Sequence, residues 1–190
     1  MQHSALEIRR VASLFPGRGQ ATVRTGDAAT EAQLQRDDRE GTLARHRYLL
    51  LSAHGYLSLK APSLSAVVLG QRSPTAEADG YVTAAEWTGY TLQSDLIVVS
   101  ACETGVGRVV EGEGVAGLPY ALFAAGNRNA LLTLWPVADR STALFVSRFF
   151  AHLESGLDQS AALARTKREF AQGREFAAPF HWAPFALWGS

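Results

Sequence analysis

The sequence contains one cysteine and one methionine in 190 residues, and its 18 basic residues are balanced by 18 acidic ones. A single cysteine excludes an internal disulfide and any zinc site built from several thiolates. The formal net charge of zero removes the bulk electrostatic case for a nucleic-acid partner, because phosphate binding needs a surplus of cations on one face. No apolar run approaches the roughly 18–20 residues that cross a bilayer, and residues 1–10 lack the apolar centre of a secretory signal. There is no Gly-x-x-x-x-Gly-Lys phosphate loop, and the histidines show no metal-ligand spacing. Gly105-Val106-Gly107 opens like a dinucleotide fingerprint but meets Val110 where a third Gly or Ala belongs. The expectation is a reduced, cytoplasmic protein without metal or cofactor, facing neither membrane nor nucleic acid. Its lone thiol is then a candidate nucleophile.

What is present is ordinary globular material: 47% hydrophobic and 19% charged residues, in a chain long enough for one domain with a real core. Residues 4–15 read as an amphipathic helix whose apolar face holds Leu6, Ile8, Val11, Ala12, Leu14 and Phe15, stopped by Pro16-Gly17. A short strand is expected near 21–24, then a polar helix over 27–40 capped by Asp27 or Thr30. The runs 48–51, 65–69, 95–100, 130–135 and 182–188 read as strands, with 48–51 and 95–100 covered on both faces. Helices are expected over 82–87, 118–125, 141–153 and 159–170. Residues 105–117 hold five glycines and predict a mobile loop. Apolar strands alternating with helices indicate an α/β sheet with helices on both faces. With no internal repeat or linker, 1–190 reads as one domain.

Cys102 follows the strand 95–100, at the strand end where open α/β sheets place ligands. A free cysteine is also among the most buried residue types and often acts as a small hydrophobe, so position alone favours an inert thiol. His54 shifts that weighting. It follows the strand 48–51 and directly precedes Gly55. If the two strands are parallel neighbours, His54 and Cys102 reach the same edge of the sheet. An imidazole there assists thiol deprotonation and protonates a leaving amine. The other four histidines read as capping or surface residues. Cys102 lies 48 residues after His54, close to the separation of about 50 in the caspase signature. Gly55 is either a tight turn or the point where a substrate carbonyl approaches the main chain, with the amides of Gly55 and Cys102 as oxyanion donors. Asp139 reads as an N-cap for a helix starting near Ser141, or as a carboxylate that pairs with a basic substrate side chain. Glu103 faces the cleft or solvent. Trp135, Trp182 and Trp188 read as core residues, with Trp135 also a candidate substrate contact.

Taken together, Ser52-Ala53-His54-Gly55, the run from Leu96 to Gly105 with Ser100-Ala101-Cys102-Glu103-Thr104 at its end, Gly114-Val115-Ala116-Gly117-Leu118, Ala125-Gly126, Leu134-Trp135-Pro136-Val137-Ala138-Asp139 and His181-Trp182-Ala183-Pro184-Phe185 resemble the CHAT domain. That family is a caspase-like group usually found downstream of tetratricopeptide repeats. The resemblance spans about residues 7–189. It implies a three-layer caspase-hemoglobinase fold with a mostly parallel central sheet. It also implies a clan CD cysteine endopeptidase with a His-Cys dyad, which falls on His54 and Cys102. The implied substrate is a partner protein, and the implied regulator is an N-terminal repeat region. The alternative within the same fold is a catalytically silent interaction module. Two departures stand out: Ser52-Ala53 replaces the usual Ala-Thr before the His, and Ala138 stands where an acidic residue is common. The fold also begins with a strand before its first helix, whereas here a helix comes almost at once. The expectation is therefore the C-terminal part of a longer protein, lacking its repeats and a first strand.

Overall fold

The computed structural model describes residues 4–16, 21–58, 60–72, 74–100, 108–110 and 114–189. The chain forms helices α1 (Ser4–Ser13), α2 (Glu31–Arg39), α3 (Ala84–Trp87), α4 (Leu118–Ala124), α5 (Asp139–Glu154) and α6 (Gln159–Ala171). Its strands are β1 (Tyr48–Ser52), β2 (His54–Tyr56), β3 (Ala66–Val68), β4 (Tyr81–Thr83), β5 (Leu96–Ser100), β6 (Arg108–Val110), β7 (Gly114–Ala116), β8 (Asn129–Thr133) and β9 (Phe185–Gly189). The central sheet has the order β1-β5-β8-β9. β1, β5 and β8 run parallel, and β9 closes the sheet antiparallel to β8.

Side chains alternate across a strand, and here the alternation builds two cores. From β5 and β8, Ile97, Val99, Ala130 and Leu132 join Trp87, Leu92, Leu118 and Leu122 on one face. Leu96, Val98 and Leu131 join Phe145, Phe149 and Phe150 on the other. All five residues of β5 are buried, which is why that stretch reads as an unbroken apolar run rather than an alternating one. This is the three-layer α/β/α arrangement expected from the sequence. β1 is only half-buried along its length, because β5 is its one partner among the described strands. A groove of about 680 Å³ runs beside it, lined in part by Val11, Phe15, Val23, Leu34, Leu49 and Leu51.

Local chemistry sets the helix ends. Thr30 caps α2 by accepting from the Gln33 amide at 3.2 Å, as one of the two expected caps. Thr83 and Glu86 form a reciprocal capping box on α3. Asp158 accepts from the Ala161 amide at 2.7 Å to start α6. Gly126 follows α4 at φ 90, in the left-handed region that suits a residue without a β-carbon.

Several expectations are corrected. Residues 21–24 form no regular strand. The strand expected over 65–69 exists as β3, but it pairs with β2 and β4 in a separate antiparallel sheet rather than joining the central one. Periodicity gives a strand no address, and the short chain excursion after Ala53 supplies local partners. Within 105–117, residues 108–110 and 114–116 are strands rather than loop: β6 and β7 pair antiparallel from Arg108–Ala116 to Val110–Gly114. Trp135, Trp182 and Trp188 are half-buried rather than core residues. Trp87 is the tryptophan fully inside, at 1% exposure.

Candidate active site

The parallel pairing of β1 with β5 puts Ser52 opposite Ser100, both at the final position of their strands. His54 lies two residues beyond Ser52, and Cys102 two residues beyond Ser100. Cys102 and Glu103 themselves lie outside the described residues. His54 is exposed and opens β2, opposite Val68. Its ring has no side-chain hydrogen bond among the described residues. Ala53, between Ser52 and His54, is buried in the core on the α3/α4 side, so the strand is anchored up to the residue before the histidine.

Gly55 is extended, half-buried and paired with Val67. The tight-turn reading is thereby corrected: the ladder to β3 holds this stretch straight. Asp139 is exposed and is the first residue of α5. It is not the N-cap. Ala138 takes that position and offers no side-chain cap. An acidic residue in the first turn still complements the positive end of the helix. Trp135 sits between β8 and α5, half-buried, with its Nε1–H donating to the Phe180 carbonyl at 3.1 Å.

Sequence reasoning missed one group here. Glu7 of α1 is 3% exposed. Its Oε2 accepts from Ser52 Oγ at 3.0 Å and from Ser100 Oγ at 3.5 Å. Its Oε1 is enclosed and has no hydrogen-bond partner among the described residues. Burial is the main cause that pushes this carboxyl from its ordinary 4.5 up to about 7, the serine hydroxyls pull it back, and the charge of Asp139 raises it further. α1 therefore runs against the direction of β1. Glu7 meets the end of that strand, while Phe15 meets Tyr48 at its start, with ring centroids 5.9 Å apart. A signal was available in the sequence. Glu7 lies four residues before Val11 and seven before Leu14, which is the spacing of one helical face.

With a mainly parallel three-layer fold and two candidate residues following paired strand ends, the architecture is that expected of a caspase-like domain. The family model of the CHAT domain matches residues 1–190, the whole chain. The chain belongs to the CHAT domain family. Over 109 residues, 57% of the chain, it is 35% identical to tetratricopeptide repeat protein 28 of Mus musculus. Over the same length it is 33% identical to tetratricopeptide repeat protein 28 of Homo sapiens. The match spans 4% of each of those proteins. A CHAT domain of this kind thus has relatives in chains named for tetratricopeptide repeats. Among the described residues no helix of this CHAT domain is long and apolar enough to cross a membrane.

Proposed function

We propose that this CHAT domain is a cysteine endopeptidase that cleaves a partner protein, with His54 and Cys102 as its dyad. The observation that supports this most is the register of Ser52 against Ser100, since each candidate lies two residues further along from one of two strand ends that stand side by side. The carboxyl edge of a parallel sheet is where such folds carry their chemistry.

In this reading His54 takes the thiol proton of Cys102, and the thiolate sulfur attacks a peptide carbonyl carbon. The amides of Gly55 and Cys102 hold the resulting oxyanion. The C–N bond breaks, the leaving amine takes the proton from His54, and a thioester remains. Water, deprotonated by His54, attacks the thioester; the carboxylic acid leaves and the thiol is restored. Asp139 pairs with a basic substrate side chain next to the cleaved bond. Trp135 and Glu103 flank that position. The thiol is kept reduced in the cytoplasm, and an N-terminal tetratricopeptide-repeat region regulates access. The names of the similar proteins support that partner.

The test is cleavage of a peptide library by the wild type and by Cys102→Ala and His54→Ala variants. Both variants are expected to lose cleavage, and peptides with Lys or Arg before the cleaved bond are expected to lead the wild-type products. Undiminished cleavage by either variant removes the dyad. A wild type that binds partner protein but cleaves nothing makes the domain an interaction module.

A further inference from the structure

Glu7 takes no part in the chemistry just described, yet it is placed where that chemistry would be organised. It is one of the least favourable residues for its position. A leucine or methionine would fill the space between α1 and the strand ends without desolvating a carboxyl group, whereas a buried carboxyl with an unpaired oxygen costs stability. Local rules are broken in this way chiefly at functional sites. What the carboxyl does is specific. One oxygen accepts from two hydroxyls, Ser52 at 3.0 Å and Ser100 at 3.5 Å, on two different strands that are register partners. Among the described residues no other side chain accepts from both serines.

We propose that Glu7 is a positioning residue, which ties the ends of β1 and β5 together and so fixes the separation at which the chain departs toward His54 and Cys102. This rests on the reading of those two residues as a dyad. Glu7 acts through Ser52 and Ser100 and touches no substrate. The hydroxyls face it from β1 and β5, and among the described residues Asp139 at the start of α5 is the charged group whose field reaches it. A dyad set by strand spacing is sensitive to such a tie, because displacements of about 1 Å cost up to about a hundredfold in rate.

Cys102 is the only cysteine, so alkylation of the intact chain by iodoacetamide reports on this thiol alone. Its rate is measured against pH in the wild type and in His54→Ala, Glu7→Leu, Glu7→Gln, Ser52→Ala/Ser100→Ala and the combined Glu7→Leu triple variant, with thermal unfolding of each. His54→Ala is expected to lose the rate advantage over free cysteine near neutral pH. Glu7→Leu, which leaves no acceptor between the two hydroxyls, is expected to lower the rate about tenfold while the protein stays folded, and Glu7→Gln, which keeps an amide oxygen there, is expected to retain most of the wild-type rate. The serine double variant should match Glu7→Leu, and adding Glu7→Leu to that double variant should change nothing further, because all three act through one tie. A wild-type pH profile in both Glu7→Leu and the serine variant, alongside a changed profile in His54→Ala, overturns the role of Glu7 and leaves the dyad standing. An unchanged profile in His54→Ala overturns the dyad itself, and the role of Glu7 with it. Should Glu7→Leu fail to fold, the serine variant decides alone.

Discussion

Glu7 and Ser52 are 45 residues apart in sequence, yet the serine hydroxyl donates to the glutamate carboxyl at 3.0 Å. The contact joins the first helix to the end of the first strand, and it makes the fold sensitive to pH. Below about 4.5 the carboxyl is neutral in both the folded and the unfolded chain. Between 4.5 and about 7 the unfolded chain gives up this proton while the folded chain keeps it. The stability that proton contributes is fully present below 4.5 and is lost as pH rises through 7. The size of the loss is on the order of 3 kcal/mol.

Glu7→Gln removes that titration. Its stability relative to wild type should rise between pH 4.5 and 8, read from urea unfolding at several pH values. A constant difference across that range would show that Glu7 ionises as readily in the folded chain as in the unfolded one.

Glu31 is the second buried acid, 2% exposed, and its role is structural. Its Oε2 accepts from the Gly80 amide at 2.8 Å, and its Oε1 from Gln35 Nε2 at 3.2 Å. Glu31→Ala leaves the Gly80 N–H buried and unpaired, for a loss of about 1–3 kcal/mol. Glu31→Gln keeps an acceptor there and should retain most of that stability. Equal losses from both, in chemical denaturation, would mean that the carboxylate charge rather than the acceptor matters.

Gly80 itself has φ 95, and an added β-carbon would sit 2.6 Å from Gln71 Cγ. Gly80→Ala combines a left-handed backbone with a collision. It should cost more than about 1 kcal/mol and lower the melting temperature, whereas Gly156→Ala, left-handed but with open space around it, should cost less.

Phe145 and Phe185 stack with centroids 3.8 Å apart and planes within 6°, joining α5 to the strand that closes the sheet. Both are fully buried. Phe145→Ala should destabilise by about 3–5 kcal/mol, measured by urea unfolding, and Phe145→Leu by clearly less.

β1 and β5 are paired along five residues but differ in cover. Amides of Leu96–Ser100 should exchange with deuterium at least about tenfold more slowly than those of Tyr48–Ser52, since the inner strand opens only with the whole sheet. Equal protection would mean that β1 is covered along its open edge in solution.

Much of the architecture was legible because periodicity and caps are local. The runs at 48–51 and 95–100 became β1 and β5, and Thr30 marked the start of a helix where its hydroxyl takes up a free amide. Other features misled for equally local reasons. Leu6 was counted on the apolar face of the first helix but is 63% exposed, while Glu7 beside it is buried. Hydrophobicity ranked the two residues correctly for water and wrongly for this site, because two serine hydroxyls from distant strands make the carboxyl tolerable there. The strand at 66–68 was legible as a strand but not as a member of a second sheet. Asp139 had the composition of a cap, and the helix began one residue too early for it to serve as one.

The amino-acid order alone determined that this chain alternates apolar strands with amphipathic helices, and that His54 and Cys102 each follow a strand. Those features depend on neighbours within a few residues. Only the tertiary structure decided that β1 and β5 lie next to each other with Ser52 opposite Ser100, and that Glu7 spans both. Strand order and register come from the packing of side chains far apart in the sequence, and no local pattern records which strand a given strand will meet.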